Sequence, residues 1–120
     1  MSDAVASITA VTIDANDAAS VAAFWAELTG TSVTDVVDEG RLHFLSAAEG
    51  APELCIQRVP EPKTVKARVH LDLSAADLDA ITERILALGG SWSGEELTMD
   101  EYTWRSFQDP EGTEFDVLLA

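Results

Sequence analysis

Apolar residues recur along this chain in two rhythms, and the switches between them predict its elements. Val11 and Ile13 alternate with Ala10, Thr12 and Asp14, the period-two pattern of a strand. After Asp17, a residue type suited to capping a helix, Val21, Phe24, Trp25 and Leu28 fall at helical spacing, and Gly30 supplies the stop. The pattern then returns. Val69, Leu71 and Leu73 alternate with His70 and Asp72, Asp77 caps, Leu78, Ile81, Ile85 and Leu88 form the stripe, and Gly89-Gly90 end it. Both stripes are one-sided, which predicts two surface helices packed on sheets. Further strands are predicted near 31–37, 41–46, 53–59, 91–97, 102–108 and 114–119, with turns at Asp38-Glu39-Gly40 and Pro110-Glu111-Gly112.

An offset of 60 residues aligns the halves, placing Val11 on Leu71, Ile13 on Leu73, Asp17 on Asp77, Trp25 on Ile85 and Gly30 on Gly90. The expected fold class is therefore α+β, two βαβββ modules in tandem as pseudo-repeats 7–59 and 66–119 of a single domain, 1–120. Pro60-Glu61-Pro62-Lys63, whose prolines cannot continue a strand ladder, is the hinge. Strand parity then sorts side chains between faces. If Val11, Ile13, Leu54, Ile56, Val69, Leu71, Leu73, Phe115, Val117 and Leu119 lie under helices, then Ala10, Thr12, Cys55, Gln57, His70, Asp72 and Asp116 share the opposite face.

Charge narrows the partners. Seven basic against twenty-two acidic residues give −15, which repels phosphate backbones and anionic lipid, so neither nucleic acid nor membrane is an expected partner. Arg58, Lys63, Lys66 and Arg68 cluster around the hinge and read as a solvated linker. No apolar run reaches the roughly 20 residues that span a bilayer, and Met1-Ser2-Asp3 lacks a basic leader, so the expected location is cytoplasmic. The single Cys55 fits a reducing compartment and reads as core or cavity lining.

The second-half pattern Val69-His70-Leu71-Asp72-Leu73 with Asp77, and the tail Trp104 followed by Phe107-Gln108-Asp109-Pro110-Glu111-Gly112-Thr113-Glu114-Phe115-Asp116, resemble the glyoxalase-like branch of the vicinal oxygen chelate superfamily. Asp14, Asp17, Phe24-Trp25 and the stretch Gln57 to Lys63 with Lys66-Ala67-Arg68 are similar to a small glyoxalase-like subgroup common in actinobacteria. The resemblance runs from about Ile8 to Leu119. It implies a curled mixed sheet forming a cup, the glyoxalase/bleomycin resistance/dioxygenase fold, and a homodimer. Metal-dependent members take one ligand from each of four strands, and those places fall on Ala10, Gln57, His70 and Asp116. Alanine has no donor atom. The resemblance therefore implies a metal set of His70, Asp116 and Gln57, suited to one divalent Zn, Fe, Mn or Ni, or else a member that has lost its metal.

Each of these residues also has a plain structural role open to it. His70 is a ligand or general base, or a histidine bonded to Asp72 or Asp116; Asp116 and Gln57 are ligands, or strand residues bonded to neighbours. Trp104 walls a pocket or packs a core, Trp92 likewise, and Asp72 and Thr12 line the ligand side. His43 is expected at the surface or a strand edge, and Trp25 in the core. No nucleophile elbow, phosphate loop or paired-cysteine signature is present. Two functions follow: a metal-dependent lyase, isomerase or dioxygenase acting on a small molecule, with His70 catalytic, or a metal-free protein that sequesters a drug or metabolite.

Overall fold

In a computed structural model, which describes residues 5–47 and 49–120, the elements follow the two rhythms. The first module runs β1 (Ala10–Ala15), α1 (Ala18–Thr29), β2 (Val33–Val37), β3 (Leu42–Leu45) and β4 (Glu53–Arg58). The second runs β5 (Leu71–Ala75), α2 (Leu78–Ala87), β6 (Ser91–Met99), β7 (Tyr102–Gln108) and β8 (Glu114–Leu119). The chain divides into two compact units between Pro60 and Glu61, inside the expected hinge. The segment Met1-Ser2-Asp3 lies outside the described residues. Among those described, no helix is long and apolar enough to cross a membrane.

Each module carries one four-stranded mixed sheet, ordered β1-β4-β3-β2 in the first and β5-β8-β7-β6 in the second. The outer β1–β4 and β5–β8 pairs are parallel and the remaining pairs antiparallel. This is the fold class expected from the repeated pattern.

Local chemistry explains the helix ends. Asp17 accepts the Ser20 amide at 3.2 Å and its hydroxyl at 2.8 Å, and Asp77 accepts the Ala80 amide at 3.1 Å, so each satisfies an N–H that the first turn leaves unpaired. α1 stops where Gly30 takes φ 70°, a conformation that side chains resist. α2 stops at Gly89, with the Gly90 amide closing on the Ile85 carbonyl at 2.9 Å. α1 buries Val21, Phe24 and Trp25 over a sheet face holding Ile13, Leu45 and Ile56. α2 buries Leu78, Thr82 and Ile85 over Phe107, Phe115 and Val117, with the two phenylalanine rings stacked at 5.7 Å.

Two expectations are corrected. His43 is not at an edge. β3 is an interior strand, His43 pairs with Ile56 on the helix-covered face, and only 8% of the residue is exposed. Its Nδ1 has no hydrogen-bond partner among the described residues. Val69 does not pack under α2, because β5 begins at Leu71 and Val69 is exposed. Trp92, open to either a packing or a pocket-lining role, pairs with Phe107 on the helix side and lies beneath the Arg105 guanidinium, 4.5 Å from the ring centre.

Candidate functional site

The open face of the second sheet gathers the polar residues. β5 and β8 pair in parallel with Asp72 opposite Asp116, while Leu71 and Leu73 pair with Phe115 and Val117 toward α2. One pleat step separates the two sets, so Asp72 and Asp116 project away from the helix side by side. β7 then places Ser106 opposite Asp116 and Trp104 opposite Leu118. The turn joining β7 to β8 sets this register. Asp109, almost fully buried, accepts the Glu111 amide at 2.9 Å and the Thr113 amide at 3.0 Å, and Gly112 takes φ 89°.

His70 closes the group from the residue just before β5. Its Nδ1 lies 3.1 Å from Asp72 Oδ1 and 3.9 Å from Asp116 Oδ2. The Ser106 hydroxyl donates to Asp116 Oδ1 at 2.7 Å, which orients the carboxylate and leaves its other oxygen toward His70. One potential ligand atom from each of His70, Asp72 and Asp116 falls within 4.8 Å of the others. Two donors on one divalent ion at about 2.1 Å each stand at most about 4.2 Å apart, so a small side-chain movement brings all three to one ion. One imidazole and two carboxylates suit a borderline or hard divalent metal. The donor set fits.

Trp104 shares this open face. Its neighbour Arg105 settles the parity, because the Arg105 guanidinium turns under α2, where Nη1 donates to Thr82 Oγ1 at 2.9 Å and Nη2 to Asp79 at 2.8 Å. Nε donates to Glu96 at 3.0 Å. Those carboxylate bonds hold Arg105 above its ordinary protonation range, the Asp79 bond contributing most, so it stays a structural cation. Beside Trp104 and Leu118, parity sets Leu97, Met99 and Tyr102 on the same face, all three exposed. The open face thus grades from a polar end at His70 and Asp116 to an apolar end at Tyr102. A cavity of about 250 Å³ lined by Ser91, Trp92, Ser106, Phe107, Gln108 and Glu114 adjoins the polar end.

The first module carries the remaining expected residues on its own open face. Thr12 pairs with Cys55, Asp14 with Gln57, and Ala10 with Glu53. Comparing the two parallel pairs, Cys55 stands opposite Thr12 as Asp116 stands opposite Asp72. Cys55, rather than Gln57, therefore holds the place of Asp116 within the first module. Burial pushes the Cys55 thiol up, partly offset by its hydrogen bond with Thr12.

A family whose sequence model is described as a glyoxalase-like domain matches residues 10–118. No curated protein matches the chain significantly. Among solved structures, the chain is similar to a glyoxalase/bleomycin resistance protein/dioxygenase family enzyme from Burkholderia phytofirmans PsJN, at 15% identity and a TM-score of 0.77 over 94% of this chain and 98% of that one. It is also similar to a genomically encoded fosfomycin resistance protein from Listeria monocytogenes, at 17% identity and a TM-score of 0.74 over 96% and 93% of the two chains. A lactoylglutathione lyase from Agrobacterium tumefaciens superposes with a TM-score of 0.66 at 17% identity, over 93% and 92%. At these identities the likeness is one of fold.

Proposed function

The chain belongs to the glyoxalase-like domain family of the vicinal oxygen chelate superfamily, and from that premise we propose that it binds a small oxygen-bearing molecule at the open face of its second module, over one divalent metal held by His70, Asp72 and Asp116. The convergence of those three side chains on one sheet face carries the reading. The family match runs unbroken from residue 10 to 118, which supports treating both modules as one domain. A homodimer is part of the same reading; a sedimentation mass that stays near 12.8 kDa at every concentration contradicts it.

Asp116 is the firmest of the three ligands, being the least exposed and already oriented by Ser106. Asp72 is more exposed and free to turn between a metal and a substrate hydroxyl. A bound divalent cation supplies Lewis acidity, polarising adjacent substrate oxygens as lyase, isomerase and dioxygenase chemistry requires. His70, within reach of both carboxylates, completes the donor set at the polar end as a neutral imidazole ligand.

A second reading, sequestration of a partly aromatic ligand without metal, draws on the apolar end formed by Trp104, Leu97, Met99, Tyr102 and Leu118. Elemental analysis of protein purified without an affinity tag, followed by reconstitution with Zn, Mn, Fe and Ni, separates the two. Near-stoichiometric metal supports the first. No retained metal after reconstitution overturns it in favour of sequestration.

A further inference from the structure

His70 stands one residue ahead of β5, so the paired ladder that fixes Asp72 and Asp116 does not fix His70. The loop that delivers it, residues 61–70, contains no helix or strand. Its apolar residues Pro62, Val65 and Val69 are exposed and Ala67 is half-buried with only a methyl side chain, so apolar packing does little to seat the loop on the sheet. A polar anchor takes that role. Glu114 Oε1 lies 2.9 Å from Lys63 Nζ, and the Ala67 amide donates to the same carboxylate at 3.2 and 3.4 Å. Lys63 Nζ also donates to the Val65 carbonyl at 2.6 Å, which folds the loop on itself. Both ends of the ion pair are mostly shielded, with side-chain exposures of 25% and 23%, where charge-assisted bonds hold better than at an open surface. Glu114 is two residues from Asp116 on one strand, so both carboxylates project from the same open face.

We propose that Glu114 is a positioning residue for His70: by pinning the 61–70 loop through Lys63 and the Ala67 amide, it sets the histidine ring against Asp116, the ligand two places along the same strand. Lys63 is then not part of a solvated linker, as its sequence surroundings suggest, but the loop's anchor. The proposal rests on reading His70 and Asp116 as a working pair, and its deciding readouts need no metal.

The experiment uses the full metal-free chain, following amide exchange at Ala67 and the imidazole nitrogen resonances of His70 in Glu114→Ala, Glu114→Gln and Lys63→Met. In Glu114→Ala the Ala67 amide should exchange at least about tenfold faster, and the His70 ring signals should stop responding to Asp116→Asn. Glu114→Gln keeps an acceptor for Ala67 and should restore much of that protection, while Lys63→Met should shift the His70 signals in the same direction as Glu114→Ala. Cobalt affinity, read by its visible absorption, should fall by about 10–100-fold in Glu114→Ala, the scale of an outer partner that orients a ligand. Unchanged His70 signals in Lys63→Met overturn the proposal, even if Glu114→Ala fails to fold, and so does unchanged Ala67 exchange in a folded Glu114→Ala. If the wild-type chain binds no cobalt while the variants still uncouple His70 from Asp116, the metal reading fails and the positioning role stands.

Discussion

Replacing His70 with alanine should separate the site from the fold. The side chain is 39% exposed, precedes β5, and touches two carboxylates at 3.1 and 3.9 Å. Its removal opens no core cavity, and Asp116 keeps its bond from Ser106. Unfolding free energy without metal should therefore change by no more than about 0.5 kcal/mol, the range of exposed substitutions. With metal the outcome reverses. An ion at 100 times its Kd stabilises the native wild type by about 2.7 kcal/mol. Losing one of three donors weakens binding by at least the roughly 100-fold that marks the upper effect of outer partners. The same ion concentration then stabilises the variant by no more than about 0.4 kcal/mol. Urea unfolding followed by tryptophan fluorescence, with and without zinc, reads both quantities. Coincident curves without zinc and divergent curves with it are expected. If His70→Ala unfolds more than about 1 kcal/mol more easily without zinc, or gains as much from zinc as wild type, the site assignment is wrong.

Phe115→Ala, at a position with no exposure and stacked on Phe107, should cost about 3–5 kcal/mol in urea unfolding; a loss below 1 kcal/mol contradicts the core described. Asp17 is held below its ordinary range by hydrogen bonds from the Ser20 side chain and then its amide. Its cap therefore stabilises the fold above the unfolded-state pKa and is lost as pH falls through the lower folded value. The melting-temperature gap between wild type and Asp17→Ala should be full at neutral pH and close on acidification, and a gap that widens in acid refutes the assignment. Burial pushes the Cys55 thiol up, so it should resist a disulfide reagent in native protein and react stoichiometrically in denaturant; native labelling at the denatured rate contradicts that burial. Cys55→Asp puts a carboxylate at a site 4% exposed and should destabilise by about 3–5 kcal/mol, whereas an unchanged urea midpoint would show the position to be wet.

Periodicity and parity made the frame legible. Among the described residues, two helices, eight strands and the shared open face of Asp72, Trp104 and Asp116 all follow from which positions are apolar, because a helix or sheet can bury only one stripe or face. Register was not legible. Gln57 and Cys55 differ by two residues, and a slip of two preserves parity, so no alternation distinguishes them as the partner of Thr12. Only the observed ladder does. His43 was missed for a related reason: in Leu42-His43-Phe44-Leu45 three of four residues are apolar, so the pattern does not say which pair faces the helix. The role of the 61–70 loop was hidden because it rests on one ion pair and one amide, which leave no periodic trace.

The two modules repeat one frame and divide its chemistry. At matched register positions the second module holds His70, Asp72, Ser106 and Asp116 where the first holds Ala10, Thr12, Phe44 and Cys55. At each of these four places the step from second to first module removes a charge or a polar donor, so among the described residues the metal-fitting set lies in the second module. The helix-covered face shows a different division. Arg105 and His43 occupy equivalent places, opposite Val117 and Ile56. Arg105 directs its donors to Asp79, Glu96, Thr82 and the Leu78 carbonyl, whereas His43 Nδ1 has no partner among the described residues. The second module thus satisfies the cation beneath its helix and gathers Asp72 and Asp116 with His70 on its open face, where water reaches Asp72 most. Desolvation penalises charge least where water still reaches it, and that is where a divalent ion or a polar substrate must arrive.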